Sequence, residues 1–435
     1  MTTGRRIRIT DLRRPELTEI QRLALDHGER HPVELTVEAV LAQAVERTAL
    51  DDFGADDFRV RLRLWLEEVD GDGERTALGR MTLFRDCVRY AVNRLRIHDL
   101  LTRHPEIGDV AIVAPIVVVG LPRSGTTHLV NLIASDTRLR SLPLWRSYEP
   151  VPDPGEVPGP DGVDPRHRRA EADWRGMDAM LPFLAAMHPM RPDHIHEELE
   201  LQLPDFSSYQ LEWVARVPQW RDYYLDHDQT PHYAYLKTVL QILQWQSAGQ
   251  PSPGNEGPGR QESPGERWVL KSPQHLEQLG PLLATFPDAT VVVTHRDPVA
   301  VVQSAATMMT YAARMSYRTP EPDFYLSYWT DRIRRLLDTS LRHRHVVPPG
   351  ARQDVLFHDF MADEMATVAR IYATAGLALT DEARAKMGTY LTDHPRDKEG
   401  QVFYDLRGDF GVTPDEVRDH FGFYHDAVGV PIEVT

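Results

Sequence analysis

The stretch at residues 115–136, which reads PIVVVGLPRSGTTHLVNLIASD, constrains the fold of this chain more than any other. An apolar run at 116–119 leads into a turn bounded by Gly120 and Gly125, and Thr126 then opens an amphipathic helix. A strand, a tight loop and a helix N-terminus in this order direct backbone N–H groups and the positive end of a helix dipole at one small anion. The sequence therefore predicts a phosphate-binding loop on an α/β scaffold.

The loop differs from that of the nucleotide triphosphatases at one position. Their pattern is G-x-x-x-x-G-K-[ST], in which the Lys binds the β- and γ-phosphates and the hydroxyl binds Mg²⁺. Here Thr126 stands at the Lys position, and the nearest cation is Arg123, inside the loop. Such a loop suits a single terminal phosphate better than a triphosphate–Mg²⁺ complex.

Further strands are predicted at 268–271, 290–295 and 353–357, each followed or preceded by a helical stretch. Strands that alternate with helices favour a parallel sheet with crossover helices on both faces. Ligands of such sheets bind at the carboxyl ends of the strands. Lys271 and Arg296 lie at or just past strand ends, so we expect both to converge with the loop on one crevice.

The sequence divides into a helical N-terminal extension at 1–110 and a main domain at 111–435. Within the main domain, a helical insert rich in aromatic residues spans 166–246, and a Pro/Gly/Ser-rich stretch at 248–266 predicts a flexible loop. The extension carries no recognisable chemistry, so a cap or a dimerisation surface is expected, and a homo-oligomer is compatible with it. The arginines at 5–14 are interpreted as a solvated tail.

Charge and composition exclude several classes of function. The chain has 65 acidic and 49 basic side chains, a formal charge of −16 that argues against nucleic acid or an anionic membrane as partner. No apolar run of membrane-spanning length and no signal-like segment occurs, so a cytoplasmic protein that is not integral to a membrane is expected. The motif His194-Ile-His196-Glu197 lacks a second ligand cluster, so no metal site is predicted.

Arg296 and Ser304 form a second pattern that can bind an anion. Arg offers a planar fork for phosphate oxygens, and a hydroxyl eight residues later adds one donor. Alone, such an Arg is more often an ion-pair partner, but a phosphate loop in the same sheet favours phosphate binding. The motifs GLPRSGTT, VLKSP and THRDPVAVVQS, in this order, resemble the sulfotransferases that use 3′-phosphoadenosine 5′-phosphosulfate (PAPS), in particular the bacterial group with the LPRSGTT-type 5′-phosphosulfate loop.

The resemblance implies a P-loop-like, three-layer α/β fold with a central parallel sheet, and it implies a role for each motif. Lys271 would lie beside the bridging oxygen and stabilise the leaving phosphate. Arg396 and Lys398 resemble the basic residues of the family's closing segment, which would cover the nucleotide. The residues implied to bind PAPS are Arg123, Ser124, Gly125, Thr126 and Thr127 on the 5′ side, and Arg296 and Ser304 on the 3′ side.

The general base is the point at which the sequence departs from the family. Many members place a His at the strand end where this chain has Pro273. The acceptor hydroxyl still needs a proton acceptor nearby. A pair of Glu residues next to two His residues borders the aromatic insert, so Glu198 is the predicted base. The alternatives, in order, are Glu197, His196, Glu149 and His275.

The predicted function is transfer of a sulfuryl group from PAPS to a hydroxyl of a small, apolar or lipid-like acceptor. A sulfuryl group carries less negative charge than a phosphoryl group, so no metal is required for in-line transfer. One alternative is a nucleotide kinase or NTPase on the same loop, for which Asp297 could hold the metal. Another is a non-catalytic nucleotide-binding protein that has lost its base.

Overall fold

The computed structural model describes residues 5–248, 265, 267–395 and 398–435. Nearly all of the flexible loop predicted at 248–266 lies outside the described residues. Arg396, predicted to cover the nucleotide, lies outside them as well.

The described chain is mainly helical. The strands are β1 (Arg6–Ile7), β2 (Ile116–Gly120), β3 (Val269–Lys271), β4 (Thr290–His295), β5 (Arg352–Leu356) and β6 (Gln401–Val402). The helices of the first half are α1 (Glu19–Arg30), α2 (Val37–Thr48), α3 (Phe58–Gly71), α4 (Ala77–Arg103), α5 (Thr126–Ala134), α6 (Leu144–Tyr148), α7 (Pro165–Met180), α8 (Leu184–Met187), α9 (Gln210–Val214), α10 (Pro218–Asp226) and α11 (Thr230–Ala248). Those of the second half are α12 (Leu279–Thr285), α13 (Pro298–Ser316), α14 (Pro322–His343), α15 (Phe357–Ala362), α16 (Glu364–Thr374), α17 (Asp381–Asp393), α18 (Leu406–Phe410), α19 (Pro414–Arg418) and α20 (Gly422–Val428).

Short 3-10 helices connect these elements. They lie at Pro105–Asp109, Glu198–Asp205, Pro273–Leu276, Arg344–Val346, Pro349–Ala351 and Asp419–Phe421. The one at Glu198–Asp205 carries residues of the candidate site. None of the helices in the described chain combines the length and the apolar character needed to cross a bilayer.

The central sheet contains the strands that the sequence predicts. Its order is β3-β2-β4-β5, and every neighbouring pair is parallel. Val118 of β2 lies opposite Lys271 on one side and Val292 on the other. All residues of β2 and β4 are buried, because helices cover both faces of the sheet.

Alternate side chains of β2 enter two different cores. Ile116 and Val118 pack with α5, α15 and α16, whereas Val117 and Val119 pack with α11, α12 and α13. The helix–sheet–helix arrangement confirms the predicted three-layer α/β fold. It also sets the carboxyl ends of β2, β3 and β4 side by side at one edge of the molecule.

The N-terminal helices share a core with the insert. Buried residues of α2, α3 and α4 cluster with Leu203, Phe206 and Trp220. The 3-10 helix at Glu198–Asp205 is therefore held between the N-terminal helices and the sheet. The division into domains at 110/111 stays a prediction.

The prediction of a solvated tail at 5–14 is wrong. β1 pairs in parallel with β6, and Ile7, Ile9 and Leu12 are buried. Arg8 forms an ion pair with Asp409 at 2.7 Å. The apolar residues that alternate with the arginines explain the burial, since they face the core while the arginines themselves remain exposed.

Candidate active site

The predicted phosphate loop has the tight geometry that its glycines require. β2 ends at Gly120 and α5 begins at Thr126. Arg123 and Gly125 have φ values of 67° and 84°, in the left-handed region. A Cβ atom on Gly120 would lie 1.9 Å from Thr294 Oγ1, so only glycine fits there. Backbone strain at a non-glycine residue such as Arg123 is typical of functional loops.

The start of α5 is open to a ligand in the described structure. Its N-cap is Gly125, and no side chain caps the helix there. The hydroxyl of Ser124 is directed into the protein: it donates to the Leu121 carbonyl at 2.6 Å and lies 2.8 Å from Thr294 Oγ1. Thr126 is buried, as Ser124 is. The loop can therefore offer an anion its backbone N–H groups and the hydroxyl of Thr127.

Lys271 joins the loop to the insert. It is the last residue of β3, and its Nζ donates to Thr127 Oγ1 at 3.2 Å. The same ammonium group is paired with the carboxylate of Glu197. The side chain of Lys271 is 1% exposed, whereas that of Glu197 is 15% exposed. A cation and a carboxylate thus meet beside the phosphate loop.

Glu198, the predicted base, lies behind this pair in a closed network. Its Oε2 accepts the backbone N–H of Lys271 at 2.7 Å, and its Oε1 is 2.5 Å from His275 Nε2. His275 Nδ1 is in turn 2.6 Å from the hydroxyl of Tyr233. The side chains of Glu198 and His275 are each 1% exposed. The prediction that Glu198 is the base stays a prediction, but both of its oxygens are already bonded within the protein, which does not favour contact with a substrate.

The other candidate bases differ in their surroundings. Glu149 is paired with Arg169 of α7, at 2.7 and 2.8 Å. Burial, followed by the positive charge of Lys271 among its neighbours, lowers the pKa of His194 to about 4. Burial likewise holds the pKa of His196 well below its ordinary value. Neutral imidazoles with such low pKa values are weak proton acceptors at neutral pH.

His188 is a residue of the site that the sequence analysis missed. Its ring lies 5.9 Å from that of His196, between centroids. Burial lowers its pKa to about 3, and the charges of Lys271 and Arg123 act in the same direction. It directly follows Met187, whose carbonyl accepts a hydrogen bond from Arg123. No sequence pattern marks His188, because only the fold brings α8 to the loop.

The two predicted anion-binding groups are in contact. Arg123 Nε donates to Ser304 Oγ at 3.2 Å, and Arg296 Nη1 donates to the backbone carbonyl of Arg123. The guanidinium of Arg296 also stacks on Phe357, 4.0 Å from the ring centroid. The loop and the Arg296/Ser304 pair therefore lie on one face of the molecule, close enough for one nucleotide to reach both.

Residues distant in sequence complete this part of the site. Ser304 Oγ donates to the hydroxyl of Tyr404 at 2.9 Å. Arg296 Nε and Nη2 donate to the carboxylate of Glu433, at 2.9 and 2.7 Å. Lys398 is exposed, and its backbone N–H donates to the carbonyl of Pro395. Tyr404 lies six residues after Lys398, in the stretch that resembles the family's closing segment, but no residue pattern singles it out. Glu433 lies outside the recognised motifs.

Asp297, the candidate metal ligand of a kinase, is occupied by backbone donors. Its Oδ1 accepts the N–H of Val299 at 3.0 Å and caps α13. Its Oδ2 accepts the N–H groups of Glu433 and Val434, at 2.8 and 3.3 Å. Asp297 is 0% exposed. Within the described residues, no three His, Cys, Asp or Glu side chains are grouped so as to hold a metal ion.

Comparison with known proteins agrees with this geometry. The sequence model described as "Sulfotransferase family" matches residues 115–381, which include the loop, Lys271, Arg296 and Ser304. No functionally curated protein is significantly similar to the chain.

Two solved structures are similar over nearly their whole length. Sulfotransferase STF9 from Mycobacterium avium has a TM-score of 0.79 and 26% identity, over 92% of this chain and 99% of that one. Sulfotransferase STF1 from Mycobacterium tuberculosis H37Rv has a TM-score of 0.72 and 31% identity, over 89% of this chain and 98% of that one. The family match begins only at residue 115, so the structural alignments, which cover 92% and 89% of this chain, also include most of the N-terminal helices.

Proposed function

The chain belongs to the sulfotransferase family, and we propose that it transfers a sulfuryl group from PAPS to a hydroxyl of a small acceptor. The observation that carries the proposal is the contact of Arg123 with Ser304, 3.2 Å from Nε to Oγ, beside the loop that Lys271 joins. A nucleotide with anions on both sides of its ribose needs two adjacent cationic sites, and this arrangement supplies them.

The loop is proposed to bind the 5′-phosphosulfate. Its contacts would come from Arg123, Ser124, Gly125, Thr126 and Thr127, mainly through backbone N–H groups at the start of α5. Arg296 and Ser304 are proposed to bind the 3′-phosphate, since a guanidinium fork and a hydroxyl match phosphate oxygens. The fit is supported by Gly120 and Gly125, where the backbone approaches a neighbouring element too closely for a larger residue.

Lys271 is proposed to stabilise the leaving group. In the transfer step the bond between sulfur and the bridging oxygen of the 5′-phosphate breaks, and a bond between sulfur and the acceptor oxygen forms. Negative charge grows on the bridging oxygen, and an ammonium group already in place lowers its energy. The products are a sulfate ester and adenosine 3′,5′-bisphosphate (PAP).

The proton of the acceptor hydroxyl must pass to a base. Between the two adjacent carboxylates, we favour Glu197 over the predicted Glu198. Glu197 contacts Lys271 Nζ and keeps 15% of its side chain exposed, while both oxygens of Glu198 already accept hydrogen bonds. A base must come within hydrogen-bond reach of the proton that it takes, which Glu197 can do from the open side of the pair.

The acceptor is proposed to be small and apolar or lipid-like, because the insert at 166–246 is rich in aromatic residues that suit such a molecule. Phe183 of this insert packs against Tyr311 of α13, with the two ring centroids 5.7 Å apart. Phe183 is the residue before α8, and α8 ends at Met187, which contacts Arg123.

Nucleotide binding tests this proposal against the kinase alternative. We expect PAP to stabilise the protein without Mg²⁺, by about 2.7 kcal/mol at 100 times its Kd, and ATP–Mg²⁺ to have a much smaller effect. Thermal unfolding with each ligand measures the difference. Arg296→Ala should weaken PAP binding by roughly tenfold or more, the loss of a charge-assisted contact. Stabilisation by ATP–Mg²⁺ but not by PAP would contradict the proposal.

A further inference from the structure

The carboxylate of Glu433 is bonded to the guanidinium of Arg296, the group that is proposed to bind the 3′-phosphate. Its Oε1 accepts Arg296 Nε at 2.9 Å, and its Oε2 accepts Arg296 Nη2 at 2.7 Å. The two side chains are 22% and 15% exposed, so the pair is only partly open to water. A two-point bond between a guanidinium and a carboxylate is the arrangement that a phosphate would otherwise make there.

The backbone holds Glu433 in this position. The N–H groups of Glu433 and Val434 donate to Asp297 Oδ2, at 2.8 and 3.3 Å, and Asp297 is fully buried. Arg418 donates to the carbonyl of Val434. The segment at 430–435 is therefore fixed beside Arg296 through its main chain, and the carboxylate is presented to the guanidinium by that anchor.

The rest of the Arg296 guanidinium also contacts the protein. Nη1 donates to the carbonyl of Arg123, and the plane of the guanidinium stacks on Phe357. A phosphate that approaches Arg296 thus meets the Nε–Nη2 edge, which already donates hydrogen bonds to the Glu433 carboxylate. Two anions on one edge repel each other, and partial burial limits the screening of that repulsion by water.

We propose that Glu433 is a built-in competitor for the 3′-phosphate subsite: its carboxylate stands in for the 3′-phosphate and is displaced when a nucleotide with that phosphate binds. This inference rests on the proposed function. Nucleotides without a 3′-phosphate leave the Arg296–Glu433 pair in place and gain nothing from Arg296. Nucleotides with it exchange one anion for another of higher charge, at the cost of breaking the pair.

The proposal predicts that one substitution changes the affinity for PAP but not the affinity for a nucleotide without a 3′-phosphate. Glu433→Gln removes the charge but keeps the size of the side chain and both backbone bonds to Asp297. PAP should bind this variant about tenfold more tightly than it binds the unmodified protein, since a competing charged contact is lost. Adenosine 5′-monophosphate, which lacks the 3′-phosphate, should bind both proteins equally. Isothermal titration calorimetry measures the four affinities.

Two controls isolate the contact. Glu382→Gln makes the same change of net charge at an exposed Glu on α17 that is paired with Lys386, so it should not change PAP affinity. In an Arg296→Ala background, Glu433→Gln should give no gain, because the shared guanidinium is absent. Thermal unfolding confirms that each variant is folded.

Each remaining result counts against the proposal. PAP affinity that is unchanged or lower in Glu433→Gln would show that Glu433 does not compete with the 3′-phosphate. If the unmodified protein binds PAP and Arg296→Ala weakens it, the proposed function then stands without this inference. A protein that binds PAP in no variant overturns both. An equal gain for adenosine 5′-monophosphate would also overturn the inference, because the effect would not depend on the 3′-phosphate.

Discussion

Replacement of Lys271 by Met is expected to reduce sulfuryl transfer by roughly 10²–10³-fold, the cost of removing one preorganised stabiliser of developing charge. Lys271 is 1% exposed at the end of β3, and its ammonium group touches Thr127 of the phosphate loop. Met has a similar length and fills the same space without the charge. The proposed stabilisation of the bridging oxygen is lost, whereas the loop proposed to bind the nucleotide remains.

The measurement is the turnover rate together with the PAP affinity of the same variant. PAP affinity should fall much less than the rate, because most of the proposed contacts to PAP come from the loop and from Arg296. Lys386→Met is the matched control: Lys386 is paired with Glu382 on α17, and its loss should leave both quantities unchanged. A Lys271→Met enzyme with a normal rate would remove Lys271 from the transfer step.

Replacement of Glu197 by Gln is expected to lower the rate by about 10²–10⁴-fold, the usual contribution of a general base. Gln keeps the size and can still accept a hydrogen bond from Lys271, but it cannot take a proton. PAP binding should stay close to that of the unmodified protein. Turnover with a range of nucleophilic acceptors measures the loss, which should be smallest for acceptors with acidic hydroxyls.

Glu198→Gln is the companion variant, and it separates the two carboxylates. Glu198 is bonded to the Lys271 backbone N–H and lies against His275, so we expect the change to lower thermal stability and to affect the rate less than Glu197→Gln does. If the Glu198→Gln variant is inactive and the Glu197→Gln variant is active, the assignment of Glu197 as the base is wrong. It would establish Glu198, the residue that the sequence favours, as the base.

The phosphate loop and its surroundings were predictable because their signals are local. A buried apolar strand, two glycines and the start of a helix occupy consecutive residues in 116–134. The strands that end at Lys271 and His295 have the same short apolar character, and parallel pairing brings their carboxyl ends together. Arg296 directly precedes Asp297, the N-cap of α13, and Ser304 lies within the first two turns of that helix, so local geometry places both near one helix start.

The base could not be chosen from the sequence, because Glu197 and Glu198 are adjacent. Neighbouring residues at the start of a 3-10 helix point in different directions, and only the surrounding fold decides which one faces the crevice. In the structure, Glu198 turns toward His275 and the backbone of Lys271, while Glu197 reaches the Lys271 ammonium group.

Contacts between distant residues were beyond prediction for a related reason. β1 and β6 have two residues each and are nearly four hundred residues apart, so neither has a periodicity to detect. Glu433 meets Arg296, and Tyr404 meets Ser304, across separations of 137 and 100 residues. Such pairs depend on how the whole chain closes around the sheet, which single-sequence patterns do not encode.

The most direct test of the proposed function is a radiolabel-transfer assay that compares a sulfuryl donor with a phosphoryl donor. The protein is incubated with ³⁵S-labelled PAPS, or with γ-³²P-labelled ATP and Mg²⁺, and a panel of small apolar alcohols and phenols, and the organic products are separated and counted. We expect ³⁵S in a sulfate ester, formed without Mg²⁺ and strongly reduced in the Lys271→Met variant. Incorporation of ³²P from ATP, with no ³⁵S in any product, would contradict the proposed function.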